Sequence, residues 1–448
     1  MQRVSYSADL LKDGWDQAVV AQAGDKLARA ERKLNTGTGK GSDALGWLRY
    51  PQKISDEEID TIVSLAETHR KKADYLLCIG IGGSYLGAKA GMDFLCPSIE
   101  ALRSHQVLFA GTNFNSDYLS DLLTFLEDKE VVVNVISKSG TNTEPSVTFR
   151  IVKNWMEQKY GGKNYAKRIV ATTDASRGAL LKLARQEEYD ILTIPGDVGG
   201  RYSVLTPVGL FPFAFAGLDI KEIIQGAKDA MGFCSGEALA DNLSAQYALT
   251  RYMAFNQGKK IETLAVMHPQ LLYLAEWWKQ LAGESEGKEL TGIFPSILNY
   301  TADLHSLGQW MQEGTRNVFE TFMTLEQTVH QLKMPEMADD MDGFNYLSGK
   351  TMEEINQVAF QGTCLAHHDG GVPVSTIQLK DRTEATLGQV FYFFMKAVAL
   401  SGYMFDVNPF DQPGVEAYKK NMYALFSKPG YEEAYKAITE KMKGLKIR

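Results

Sequence analysis

Residues 131–136 read Val-Val-Val-Asn-Val-Ile, a β-branched run with almost no polar alternation. A strand of that kind needs cover on both faces, which a parallel sheet between helical layers supplies and a half-solvated antiparallel sheet does not. The run breaks into Ser137, Lys138, Ser139, Gly140 and Thr141, and Pro145 stands where the first turn of a following helix is expected. Such a turn presents backbone N–H groups, hydroxyls, one ammonium and a helix N-terminus beyond the carboxyl edge of the sheet. Those groups hold a phosphate monoester. An isolated Ser/Thr cluster has a blander reading, an ordinary helix N-cap.

The pattern repeats along the chain. Apolar runs at 75–79, 107–110, 131–136, 169–172 and 191–194 alternate with amphipathic stretches and predict five parallel strands in one doubly wound sheet. Residues 207–260 read mostly as helix. A second series follows, with strands expected at 262–267, 317–325 and 374–379 and helices at 271–281, 385–403, 415–426 and from Tyr431 onward. At 448 residues the chain exceeds what one core accommodates, so two closely packed α/β domains are expected.

A net charge of −8 argues against the basic face that a phosphate-gripping nucleic-acid binder needs. Cys78, Cys96, Cys234 and Cys364 show no CxxC spacing and read as reduced thiols, and the opening residues lack the basic and apolar regions of a signal peptide. No apolar stretch approaches the roughly 20 residues of a membrane span. A cytoplasmic globular protein with neither nucleic-acid nor membrane partners is expected.

A second glycine turn, Gly80-Ile81-Gly82-Gly83-Ser84, follows the first strand. A dinucleotide fingerprint needs glycine where Tyr85 stands and an acidic residue near Gly111-Thr112-Asn113, and a nucleotide P-loop needs Gly-Lys-Ser/Thr where Gly87-Ala88-Lys89 stands. What remains is a turn that puts Ser84 on a small phosphorylated ligand, or glycines that serve only tight strand-to-helix packing. Two such turns at neighbouring strand ends favour the ligand.

Three further clusters carry chemistry. Gly196-Asp197-Val198-Gly199-Gly200-Arg201-Tyr202-Ser203 sets a guanidinium on a glycine turn, suited to a phosphate, to a developing oxyanion or to a plain surface ion pair. Gly283-Glu284-Ser285-Glu286-Gly287-Lys288 ends a helix bearing Trp277, Trp278 and Gln280; a general base could be Glu284, Glu286 or Glu289, and spacing does not choose among them or against a solvated acidic loop. Phe410-Asp411-Gln412-Pro413-Gly414-Val415-Glu416-Ala417-Tyr418-Lys419 opens a helix whose lysine, alone, reads as solvated.

In this order, from position 80 to 419, the five clusters closely resemble those of the phosphoglucose isomerase family in its shorter bacterial form. The resemblance implies two sugar-isomerase (SIS) type domains, each a parallel sheet flanked by helices. The first and larger would span 1–205 with an N-terminal helical segment and the second 206–410 with a helical connection, leaving 411–448 as a C-terminal helical segment carrying an active-site lysine. It also implies a homodimer whose active site is shared between subunits.

The reaction so implied interconverts glucose 6-phosphate and fructose 6-phosphate, in glycolysis and gluconeogenesis, by moving a proton between C2 and C1 through a cis-enediolate. By the resemblance Glu284 is the base, Arg201 stabilises the enediolate, and His305 (supplied by the partner subunit) and Lys419 open the ring. Gly83, Ser84, Ser137, Lys138, Ser139 and Asn142 hold the phosphate end; Asn142 stands where the family more often has threonine. Gln280 and Gln412 match substrate-contacting positions. No metal or cofactor is implied, and His367-His368-Asp369 reads as a turn. A non-catalytic sugar-phosphate sensor would lose Glu284 or Lys419, and both are present. An isomerase that also takes mannose 6-phosphate remains open, since phosphate loops do not read sugar stereochemistry. A two-carboxylate glycoside hydrolase leaves the phosphate loops unexplained.

Overall fold

The computed structural model of the chain describes residues 1–12, 15, 17–236 and 238–446. Its strands are Val4–Ser7 (β1), Tyr75–Ile79 (β2), Gln106–Ala110 (β3), Val131–Ile136 (β4), Ile169–Asp174 (β5), Asp190–Ile194 (β6), Ile261–Val266 (β7), Phe294–Asn299 (β8), Val318–Leu325 (β9) and Val374–Leu379 (β10). The five runs of the first half form one parallel sheet in the order β3-β2-β4-β5-β6, within two residues of the expected bounds. β4 is buried along its whole length. Its one polar residue, Asn134, accepts the Thr172 hydroxyl from β5 at 2.8 Å, so the amide oxygen is tied into the sheet.

The second sheet runs β1-β10-β9-β7-β8. β7, β8, β9 and β10 are parallel, whereas β1 joins β10 antiparallel, pairing Val4 with Leu379 and Tyr6 with Ile377. The sequence reading did not find β1 or β8. β1 has four residues, too few for a periodicity signal, and β8 carries Pro295, which is tolerated because the strand lies at the sheet edge with one neighbour.

One continuous apolar core runs from the first sheet to the second. Its centre is the helix Glu384–Met404, buried all round from Thr386 to Met404, as its apolar composition requires. It packs against helices Gln17–Thr36, Ile220–Phe233, Leu243–Asn256 and Leu272–Glu286. Leu272–Glu286 lies in turn on Leu86–Leu95, the helix that follows the 80–84 turn. This contact carries the C-terminal end of one helix to the carboxyl edge of the first sheet. No helix among the described residues is long and apolar enough to cross a membrane.

Candidate active site

β3 pairs on one side of β2 and β4 on the other, so the chain reverses its winding between β2 and β4. In doubly wound sheets the ligand crevice opens at that point, beyond the carboxyl ends of the strands. The turns after β2 and β4 meet there, in a cavity of about 750 Å³. Residues 82–84 form one helical turn packed against the turn Gly200–Tyr202. A β-carbon on Gly83 would lie 2.1 Å from the Gly200 carbonyl oxygen, so only glycine allows this approach.

The turn after β4 is shaped by its own hydroxyls. Ser137 Oγ accepts the Gly140 N–H at 2.9 Å, Gly140 adopts φ +70°, and Ser139 Oγ accepts both the N–H and the hydroxyl of Thr141, at 3.2 and 2.9 Å. Asn142 then leads into helix Thr143–Tyr160 without spending its side chain on a cap bond. Lys138 donates to the carbonyls of Gly196 and Val198 at 2.5 and 3.3 Å, which leaves one of its three N–H groups for a ligand. Partial burial lowers the proton affinity of Lys138, the Asp174 carboxylate opposing the shift. Ser84, Lys138, Ser139 and Asn142 line the cavity; Ser137 is buried beneath it.

Arg201 also lines the cavity and is 2 % exposed. Nε donates to Ser285 Oγ at 2.9 Å, Nη1 to Gln412 Oε1 at 2.7 Å and Glu284 Oε2 at 3.3 Å, and Nη2 to the carbonyls of Pro409 and Asp411 at 2.5 and 3.0 Å. All five donors of the guanidinium are engaged, so its plane is fixed before any ligand arrives. Glu284 Oε1 accepts from Gln280 Nε2 at 3.1 Å, while the buried Gln280 Oε1 has no partner within the protein. Lys419 lines the cavity from helix Glu416–Leu425 and donates to Glu416 at 2.9 Å, a bond that holds its pKa above the ordinary lysine value.

The three glutamates point in different directions. Glu286 is buried, paired with both Nη atoms of Arg251, whose Nε reaches Glu262 at 2.5 Å. Glu289 faces solvent near Lys40, at 3.4 Å. Glu284 alone of the three lines the cavity. His305 does not: it lies exposed on the short helical turn Ala302–His305 after β8. His367, His368 and Asp369 form the last turn of helix Met352–Asp369 rather than a loop turn, and His367 is a core histidine bonded to Glu320 at 2.7 Å.

The sequence reading missed part of the wall. Asp174, the last residue of β5, and Arg177 just after it line the cavity; Asp174 Oδ1 accepts the N–H groups of Ser176 and Arg177, and those bonds hold its carboxyl below the usual range. The signal available was Thr173-Asp174-Ala175-Ser176-Arg177-Gly178, a third small polar turn at the same edge. Tyr418 and Tyr423 also face the cavity, and nothing in their spacing separates them from core aromatics.

Two helix-flanked sheets with a polar cavity at a switch point put the chain in the class of α/β proteins that bind a ligand beyond their strand ends. A solved structure described as a hypothetical protein from Thermus thermophilus superposes with a TM-score of 0.84 at 26% identity, covering 93% of this chain and 98% of that one. A glucose-6-phosphate isomerase from Chlamydia trachomatis shares the fold, with a TM-score of 0.80 at 19% identity over 98% of this chain and 92% of its own. The family model described as phosphoglucose isomerase matches residues 59–437, and the chain belongs to that family. A glucose-6-phosphate isomerase from Exiguobacterium sibiricum is 48% identical over 98% of this chain and 99% of its own length.

Proposed function

We propose that this chain is an aldose–ketose isomerase that interconverts glucose 6-phosphate and fructose 6-phosphate, serving glycolysis and gluconeogenesis in the cytoplasm. The observation that carries the reading is Glu284 within 3.3 Å of a guanidinium that the protein already holds rigid, in the same cavity that the phosphate turns line. The phosphate sits at the switch point, on Gly83, Ser84, Ser139 and Asn142, the remaining N–H of Lys138 and the leading end of helix Thr143–Tyr160. Ser137 supports it from below: its oxygen accepts the Gly140 N–H, and its hydroxyl proton stays free to donate.

Anchoring the non-reacting end fixes C1 and C2 near Glu284. The carboxylate takes the C2 proton, the C2–H electron pair forms the C1–C2 double bond of the enediolate, and the resulting oxyanion charge falls to Arg201. The O2 hydroxyl proton passes to O1, and as C2=O forms, the C1–C2 electron pair takes the proton back from the same carboxylate at C1, giving the ketose. Gln280 and Gln412, which hold Glu284 and Arg201, offer their amides to sugar hydroxyls, and the unpaired Gln280 Oε1 suits an O–H donor. Ring opening moves one proton to the ring oxygen and one off the anomeric hydroxyl. Lys419 supplies one of these groups, and the other is His305 from a second copy of the chain, since its own copy stands away from this cavity.

The test is a coupled assay. Purified chain supplied with fructose 6-phosphate should form glucose 6-phosphate, read through a dehydrogenase specific for the aldose. No turnover in folded protein would refute the reading.

A further inference from the structure

The helix that carries Glu284 and the segment that delivers Gln412 and Lys419 lie far apart in sequence, and Lys288 ties them together. Its side chain is 9 % exposed, and its ammonium donates to the Asn408 carbonyl and to Asp411 Oδ1 at 3.0 Å. Arg201 grips the same segment through the carbonyls of Pro409 and Asp411 and the amide of Gln412. Residues 408–412 are thus strung between two cations, and Asn408 Oδ1 folds the segment further by accepting the Phe410 N–H at 3.0 Å. The turn Pro413–Val415 and the helix bearing Lys419 follow at once. Lys288 is not among the residues lining the cavity. Burial works against its charge, with Arg201 adding to the shift and Asp411 and Glu284 opposing it. A buried ammonium that neither solvates the surface nor reaches the ligand has its two bonds to residues 408 and 411 as its role.

We propose that Lys288 is a positioning residue for ring opening: it fixes residues 408–411 so that Lys419 stands over the cavity in register with Glu284, without touching the sugar. The inference rests on the assignment of Lys419 above. It separates two steps. Loss of Lys288 removes the bonds to Asn408 and Asp411 and leaves the segment on one cation, Arg201, which keeps its own bonds to Ser285 and Glu284. Opening of the ring therefore suffers, and stabilisation of an already open chain does not.

The experiment uses the full chain carrying K288M, D411N or both. Turnover of glucose 6-phosphate is compared with affinity for a five-carbon aldonic acid phosphate, an open-chain mimic of the enediolate, and with thermal unfolding. K288M should lose about 10²-fold in kcat, the scale of a misplaced catalytic group, with affinity for the mimic little changed. D411N keeps an acceptor oxygen but removes the charge at a half-exposed carboxylate and so weakens the tether, folds even if K288M does not, and should show a smaller loss of the same kind. The double variant should be no slower than K288M, because both substitutions cut one tether. Wild-type kcat in folded K288M and D411N, equal losses in kcat and mimic affinity, or multiplying losses in the double variant would overturn the inference. A folded parent chain that does not isomerise the sugar phosphate would overturn the underlying reading instead.

Discussion

Glu284 is set apart from Glu286 by rotation about a helix axis. Two residues turn the side chain by roughly 200°, away from the cavity and onto Arg251, where it serves packing. A helical period is legible in sequence, but which face meets the cavity depends on Leu86–Leu95 and Glu384–Met404, helices distant along the chain. Spacing could therefore read the residue types and leave the base open between three positions, and it was the family resemblance that named Glu284. Glu284→Gln keeps the shape and one of the two accepted bonds, with its single carbonyl oxygen, but removes the basic oxygen. It should lower kcat by about 10²–10⁴-fold while sugar-phosphate binding persists, and exchange of the C2 proton into deuterated water, followed by NMR, checks it. Arg201→Lys offers three donors to five acceptors and leaves buried carbonyls unpaired. We expect a loss of about 10²–10³-fold in kcat, as for other fixed oxyanion donors, with a lower melting temperature; steady-state kinetics and a thermal melt on one preparation measure both.

Elements with a strong period, or with none because they are wholly buried, were the legible ones. β4 and the helix Glu384–Met404 fall within one residue of expectation because burial on all sides leaves an unmistakable run. β1 and β8 lie at sheet edges, where tertiary pairing rather than local pattern makes the strand. The contact between the 82–84 and 200–202 turns was likewise invisible, since glycine's lack of a side chain says nothing about what approaches it. That contact can be tested with a matched pair. In Gly83→Ala the new methyl meets the Gly200 carbonyl at 2.1 Å and pushes the turn that carries Arg201, whereas a β-carbon on Gly199 meets nothing within 4 Å. Gly83→Ala should cost about 1–3 kcal/mol by overpacking and depress kcat, and Gly199→Ala should stay within about 0.5 kcal/mol. Urea unfolding with parallel kinetics measures both; equal effects would mean that the turns do not bear on each other.

At the scale of the whole molecule, the proposed site is incomplete in one copy of the chain. Phosphate turns, base and guanidinium converge on a single cavity, while His305 lies exposed on a turn at the end of β8, which belongs to the other sheet. A two-fold dimer solves this only reciprocally: whatever one copy lends, it also borrows. The consequence can be counted. Glu284→Gln and His305→Ala homodimers should each be nearly inactive, since every site in them carries one defect. Unfolded together in equal amounts and refolded, half of the dimers pair one variant with the other. In each of these, one site takes intact Glu284 from one copy and the partner subunit's intact His305, and the second site takes both defects. The mixture should recover about one quarter of wild-type activity, the figure set by random pairing of two subunit types across a two-fold axis. Activity after refolding, set against each variant refolded alone, is the measurement. No recovery in dimers shown by mass to be mixed would mean that His305 acts within its own chain or not at all.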